Sequence, residues 1–199
     1  PLNHFSETIN AIASWKPQLR RALQGAWDLA YSWVKSEPST HHTAMSPQVL
    51  MSCISVCLIW GWVRLAGCLA LTWGGLLRAG ELLQARRQDL QLPSDLAGSV
   101  PFALLSIKEP KTRHTTARHQ CAKLDIPDLV QLAELAFQKL APSEPLWDMS
   151  AQTLRSRFKS LLQAQRLPTS TYRGMRALDL GSLRPGGATH ILQLTESGD

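Results

Sequence analysis

What this 199-residue sequence lacks narrows its class before anything else does. It has no charge-free apolar run of the length a bilayer-spanning helix needs: the most apolar region, Val49 to Trp73, carries Arg64 in its middle. That region reads as buried helices, and no membrane partner is expected. It has no C-x-x-C pair. The four cysteines are Cys53, Cys57, Cys68 and Cys121, and Cys53 with Cys57 forms an i, i+4 pair inside an apolar segment, the spacing of helix packing. Reduced, intracellular thiols are the expectation. The N-terminal residues lack the basic, apolar, small-residue order of a signal peptide. Acidic residues are outnumbered too, 15 against 21 Lys and Arg, which gives a formal charge of +6 and a pI near 9.5. That balance suits a polyanionic partner, although ribosomal, membrane-surface and merely basic proteins share it.

With 44% hydrophobic and 18% charged residues, the chain can close one full core and a small second unit. The first 36 residues read as tryptophan-rich helices, with Leu19, Leu23, Ala26, Trp27, Ala30 and Trp33 at helical spacing and Trp15 just before them. Lys16, Arg20 and Arg21 lie on another side, as a solvated face or as contacts to backbone phosphates. The polar, two-proline stretch from Ser36 to Pro47 has no periodicity and marks a domain boundary, with a helical segment and linker over 1–45 and a larger domain over 46–199. His41 and His42 are adjacent there. Two neighbours without a second ligand cluster rarely hold a metal, so a solvated linker is expected and no metal is assigned.

From Ser46 the pattern is helical, with Pro47 at the first helical position, where its missing donor costs nothing. Periodicity predicts helices over 48–72, 76–88, 128–140, 150–165 and about 185–194. The fourth carries the stripe Leu154, Phe158, Leu161 and Leu162, and the third places Leu129, Leu132, Leu135, Ala136 and Leu140 on one side. A small antiparallel sheet is expected around 90–126. Its strands are Phe102 to Ile107 and Cys121 to Ile126, and its tip runs from Glu109 to His114. The fold class is mainly α (α+β), a helical domain with one small antiparallel hairpin, preceded by a helical segment.

Two stretches carry candidate chemistry on their residues alone. Gly74 and Gly75 end an apolar segment, and Leu76 to Leu83 begins an amphipathic turn that holds Arg78 at a helix start with Glu81 three residues on. This is either a half-exposed ion pair worth roughly a few tenths of a kcal/mol or an arginine aimed at an anion. The hairpin tip gathers Lys111, Arg113, His114, Arg118 and His119, which would serve either as a phosphate-contacting patch or as a basic loop touching nothing.

Taken in order, three boxes resemble the tyrosine recombinase (phage integrase) family: Leu76-Leu-Arg-Ala-Gly-Glu-Leu-Leu83, the Lys111-Thr112 pair of the hairpin, and Gly181-Ser-Leu-Arg-Pro185 followed by Ala188-Thr-His-Ile-Leu192. The resemblance spans roughly residues 47 to 199. It implies a DNA breaking-and-rejoining core, of the kind that performs site-specific recombination or integration in mobile elements. Arg78 and Arg184 would clamp the scissile phosphate, Lys111 would protonate the leaving 5′ oxygen, and Arg113, Arg118 and Lys123 would contact DNA. The implied partner is double-stranded DNA, bound as a homo-oligomer, with no metal or other cofactor. The implied location is intracellular, in the nucleus or wherever the DNA target lies. Residues 1–45 would be the end of the family's core-binding domain.

The departures shape the expectation. Gly181 and Pro185 stand where the family's box has histidines, and His190 aligns with a helix position and reads as packed. Tyr31 and Tyr172 both precede Arg184, so no nucleophile is assigned within this chain and the catalytic domain is expected to be incomplete at its C-terminal end. The expectation is therefore a recombinase-like core that holds a phosphate without cutting it. The alternatives are a catalytically dead DNA-binding remnant of a mobile element and a helical protein-interaction module.

Overall fold

The computed structural model describes residues 2–36, 42–96, 100–108, 120–171 and 176–197, and it divides into two compact units, Pro1–His41 and His42–Asp199. In the first unit, α1 (Leu2–Trp15) packs on α2 (Gln24–Ser36), with a 3-10 turn at Pro17–Leu19 between them. Leu23, just before α2, and Ala26, Trp27, Ala30 and Trp33 within it form the less exposed stripe, with Ala30 buried and the others half-buried. Phe5 of α1 meets Trp33 with ring centroids 6.1 Å apart. Leu19 leaves the expected stripe because it falls in the 3-10 turn, where it is exposed. Two helices cannot enclose a core: Trp15, Leu29, Tyr31 and Val34 stay exposed.

The second unit begins at α3 (Pro47–Ile59), whose first turn is capped by Ser46 Oγ accepting from the Val49 amide at 3.4 Å. The apolar region expected to be helical over 48–72 forms two helices. Gly61 adopts φ +70°, so the chain turns at Trp60–Trp62 and restarts as α4 (Val63–Gly74). Every residue of α4 from Leu65 to Gly74 is buried, and α3 and later helices pack around it. Arg64, the charge in the apolar run, sits in the first turn of α4 and pairs with Glu144 at 3.0 Å and with Asp148.

Next comes α5 (Ala79–Gln84), shorter than the expected 76–88. Glu81 accepts from the Arg78 amide at 2.8 Å, which starts the helix only at residue 79, and Asp89 accepts from the Arg86 amide at 3.0 Å, which opens a separate 3-10 turn. The sheet is antiparallel, in the order β1 (Leu90–Gln91), β2 (Ala103–Ile107), β3 (Gln120–Leu124). Leu105 of β2 stands opposite both Leu90 and Ala122. Ala103, Leu105 and Leu124 face the core. The hairpin tip, residues 109–119, lies outside the described residues.

Against α4 lies α6 (Pro127–Phe137), where Gly67 is required: a methyl group there would strike Ala136 and the Phe137 ring. Leu129 and Leu132 are buried as expected, but Leu135 is exposed, because the inward face of α6 is completed by Val130, Ala133 and Phe137. The next helix, α7 (Ala151–Ala164), buries the predicted Leu154, Phe158, Leu161 and Leu162, and Ser150 caps it by accepting from the Thr153 amide at 3.1 Å. The last is α8 (Leu183–Ser197). The fold is mainly helical with one small antiparallel sheet, as the periodicity predicted.

Cys53, Cys57 and Cys68 are buried free thiols, and Cys121 is exposed. Burial pushes all three buried thiols up, Cys57 to about 12. A thiol-specific alkylating reagent at neutral pH is expected to modify Cys121 alone in the native chain and all four cysteines after unfolding. Rapid native labelling of a second cysteine, located by peptide mass spectrometry, would contradict the helix packing described above.

Candidate functional site

Arg78 is delivered by the end of α4. After Gly75 the chain takes a left-handed step at Leu76 (φ +54°), buries Leu77, and leaves Arg78 extended at the cap position of α5. Glu81 holds it twice. One carboxylate oxygen accepts from the Arg78 amide and the other from Nη1, both at 2.8 Å, and the Glu81 side chain is only 8% exposed. The Arg78 side chain is 37% exposed, and its remaining nitrogens make no hydrogen bond to any described residue. The pairing that i, i+3 spacing predicted is therefore formed without using up the guanidinium.

Arg184 is placed by the seating of α8. A Cβ at Gly187 would collide with the backbone oxygen of Trp73, and one at Gly186 with the backbone of Met45 and the Trp73 indole. With glycine at both positions, α8 lies directly on the backbone of α4, the helix whose end leads to Arg78. The Trp73 Nε1–H donates to the Met45 carbonyl at 3.0 Å, and the Met45 amide donates to the Ser182 carbonyl at 3.0 Å. His190 packs its ring 5.1 Å from that of Trp73, on the α4 side of the helix. Arg184 itself is exposed and makes no hydrogen bond or ion pair with any described residue.

Arg78 and Arg184 line one cleft of about 400 Å³, together with Glu81, Lys123, Asp125 and Ile191, and with the outer edge of β3 as one wall. Three cations face two carboxylates there. Glu81 partly offsets Arg78, and Asp125 pairs with Lys123 at 2.9 Å, so Arg184 is the cation in excess. Lys123 also lies 5.0 Å from the Phe102 ring centroid. Two guanidinium groups open to one space can grip a tetrahedral oxyanion through paired N–H donors, which a lone lysine cannot do. Lys111, Arg113 and Arg118 lie outside the described residues. The other lysine of the hairpin, Lys108, is held by the buried Asp89 at 2.5 Å.

The residue that sequence reasoning missed is His42. Expected in a solvated linker, it is exposed, but it also places its ring against Gly181 and its Nδ1 2.9 Å from Asp179 Oδ1. No local signal could have found it, since the partners are 137 positions apart. Among the described residues there is no cluster of three or more His, Cys, Asp or Glu side chains that could hold a metal ion, and no helix long and apolar enough to cross a membrane.

No protein-family model matches the chain, and no curated protein sequence does. Among solved structures, a crystal structure of XerA recombinase superposes with a TM-score of 0.53 over 96% of this chain and 68% of that one, at 14% sequence identity. At that identity the likeness is one of backbone arrangement, and this chain has, distantly, a recombinase-like fold.

Proposed function

We propose that the chain binds double-stranded DNA by gripping a backbone phosphate between Arg78 and Arg184, and that it is the phosphate-holding core of a DNA breaking-and-rejoining protein of the tyrosine recombinase type. The observation that carries this reading is the shared cleft: two arginines remote in sequence open into one space with a net cationic lining. The recombinase-like fold and the formal charge of +6 support it. In this reading Arg78 and Arg184 neutralise charge on the nonbridging oxygens and Lys111 is the proton donor to a leaving 5′ oxygen. Lys123, Arg113 and Arg118 add sequence-independent backbone contacts.

Binding of a labelled duplex, titrated with salt, tests it. Arg78→Ala and Arg184→Ala are each expected to weaken binding about tenfold and to lower the salt slope by about one. Arg184→Lys should restore the slope but not the full affinity, because an ammonium cannot reproduce the paired donors. Wild-type binding by both alanine variants would overturn the phosphate reading, and salt-insensitive binding would favour a protein-interaction module.

Tyr31 and Tyr172 both precede Arg184, the wrong side of it for the nucleophile in the order the resemblance implies. Incubated with nicked duplex DNA, the 199-residue chain is therefore expected to bind without leaving a covalent adduct on a denaturing gel. A band that survives denaturation would show that a nucleophile reaches the phosphate, and Tyr172 would be the first residue to replace.

A further inference from the structure

The two arginines of the cleft are held in different ways. Arg78 has its own carboxylate, Glu81, bonded to its guanidinium. Arg184 has none among the described residues, and it stands on the first turn of α8 and the 3-10 turn Leu180–Ser182 before it. That turn contains Gly181, which contributes no side chain to pack it and would by itself leave the backbone free. The volume is filled from elsewhere. A Cβ built at Gly181 would meet Cε1, Nδ1 and Nε2 of the His42 imidazole.

One of those three atoms, Nδ1, also carries a hydrogen bond. His42 Nδ1 donates to Asp179 Oδ1 at 2.9 Å, and the second oxygen of Asp179 accepts from Arg176 Nη2 at 3.2 Å. Thr43 Oγ1 donates to the Arg176 carbonyl at 2.6 Å, and the Met45 amide donates to the Ser182 carbonyl at 3.0 Å. Residues 42–45 are thus laced along 176–182 through both side chains and backbone, with the imidazole, 41% exposed, lying against Gly181 and bonded to Asp179.

We propose that His42 is a positioning residue for Arg184: by filling the space above Gly181 and anchoring Asp179, it holds the turn from which Arg184 enters the cleft. This rests on the reading of the cleft as a phosphate site. It assigns a role in the Arg184 grip to a residue outside all three sequence boxes, and it makes Gly181 a requirement of the site, since any larger residue there displaces the ring.

The test is a double-variant cycle read by anisotropy of a fluorescein-labelled DNA duplex, with melting temperatures measured alongside. His42→Ala is expected to weaken binding by about fivefold to tenfold, close to the loss from Arg184→Ala, because it removes the same phosphate contact indirectly. Gly181→Ala should do likewise by pushing the ring out. His42→Gln, whose amide can still donate to Asp179, should recover most of the affinity. The His42→Ala/Arg184→Ala double variant should bind no more weakly than Arg184→Ala alone. Wild-type binding by His42→Ala overturns the inference, and so do losses that multiply in the double variant, which would mark a general structural role. Wild-type binding by Arg184→Ala would overturn the phosphate reading itself and the positioning role with it.

Discussion

Gly187→Ala is expected to unseat α8. The added methyl would run into the Trp73 carbonyl oxygen, a backbone atom of the most buried helix, which cannot rotate aside as a side chain would. Overpacking of this kind costs about 1–3 kcal/mol, and a rigid backbone partner puts this site at the upper end. Alanine's better helix propensity returns up to about 1 kcal/mol, so the clash wins by roughly 2 kcal/mol. For a chain of this size that lowers the melting temperature by about 4–8 °C. Because Arg184 rides on α8, the DNA binding proposed above should weaken together with stability. Gly80→Ala in α5 is the matched control: nothing lies within 4 Å of its Cβ position, so the same exchange there should be neutral or stabilising by up to about 1 kcal/mol. If Gly187→Ala melted at or above the wild-type temperature, α8 could not be seated on the α4 backbone as described.

Trp73→Ala is expected to cost more, about 3–5 kcal/mol in chemical denaturation. The side chain is 2% exposed, its ring packs at a tilt against that of His190, and its Nε1–H satisfies the Met45 carbonyl. The truncation therefore leaves both a cavity and an orphaned buried acceptor. Trp73→Phe separates the two contributions. It keeps most of the volume but loses the donor, and should cost about 1–3 kcal/mol. The Phe variant should also loosen residues 42–45, because Met45 bridges Trp73 to Ser182. A Trp73→Phe variant as unstable as Trp73→Ala would mean that the hydrogen bond dominates, and a Trp73→Ala loss below about 1 kcal/mol would contradict the packing altogether.

Sequence alone was sufficient wherever the deciding partners lie within a turn or two of each other. Ser46 and Ser150 cap their helices through the amide three residues on, Glu81 meets Arg78 at i, i+3, and the stripe of α7 repeats at helical spacing. Those interactions are local, so the mainly helical class and the helical start beside Arg78 are written into neighbouring residues. Element lengths were less legible. An apolar run continues through Gly61 as if helical, but glycine's access to positive φ ends α3 there, and the two carboxylate caps at Glu81 and Asp89 divide what periodicity joined. The candidate site was legible only in part. Which arginines share a cleft depends on α8 crossing α4 at backbone contact, and Gly186 and Gly187 announce a close approach without naming the helix approached. His42 against Gly181 and Lys108 on Asp89 were decided by tertiary structure alone, because such contacts join segments that meet only after the core around α4 has closed.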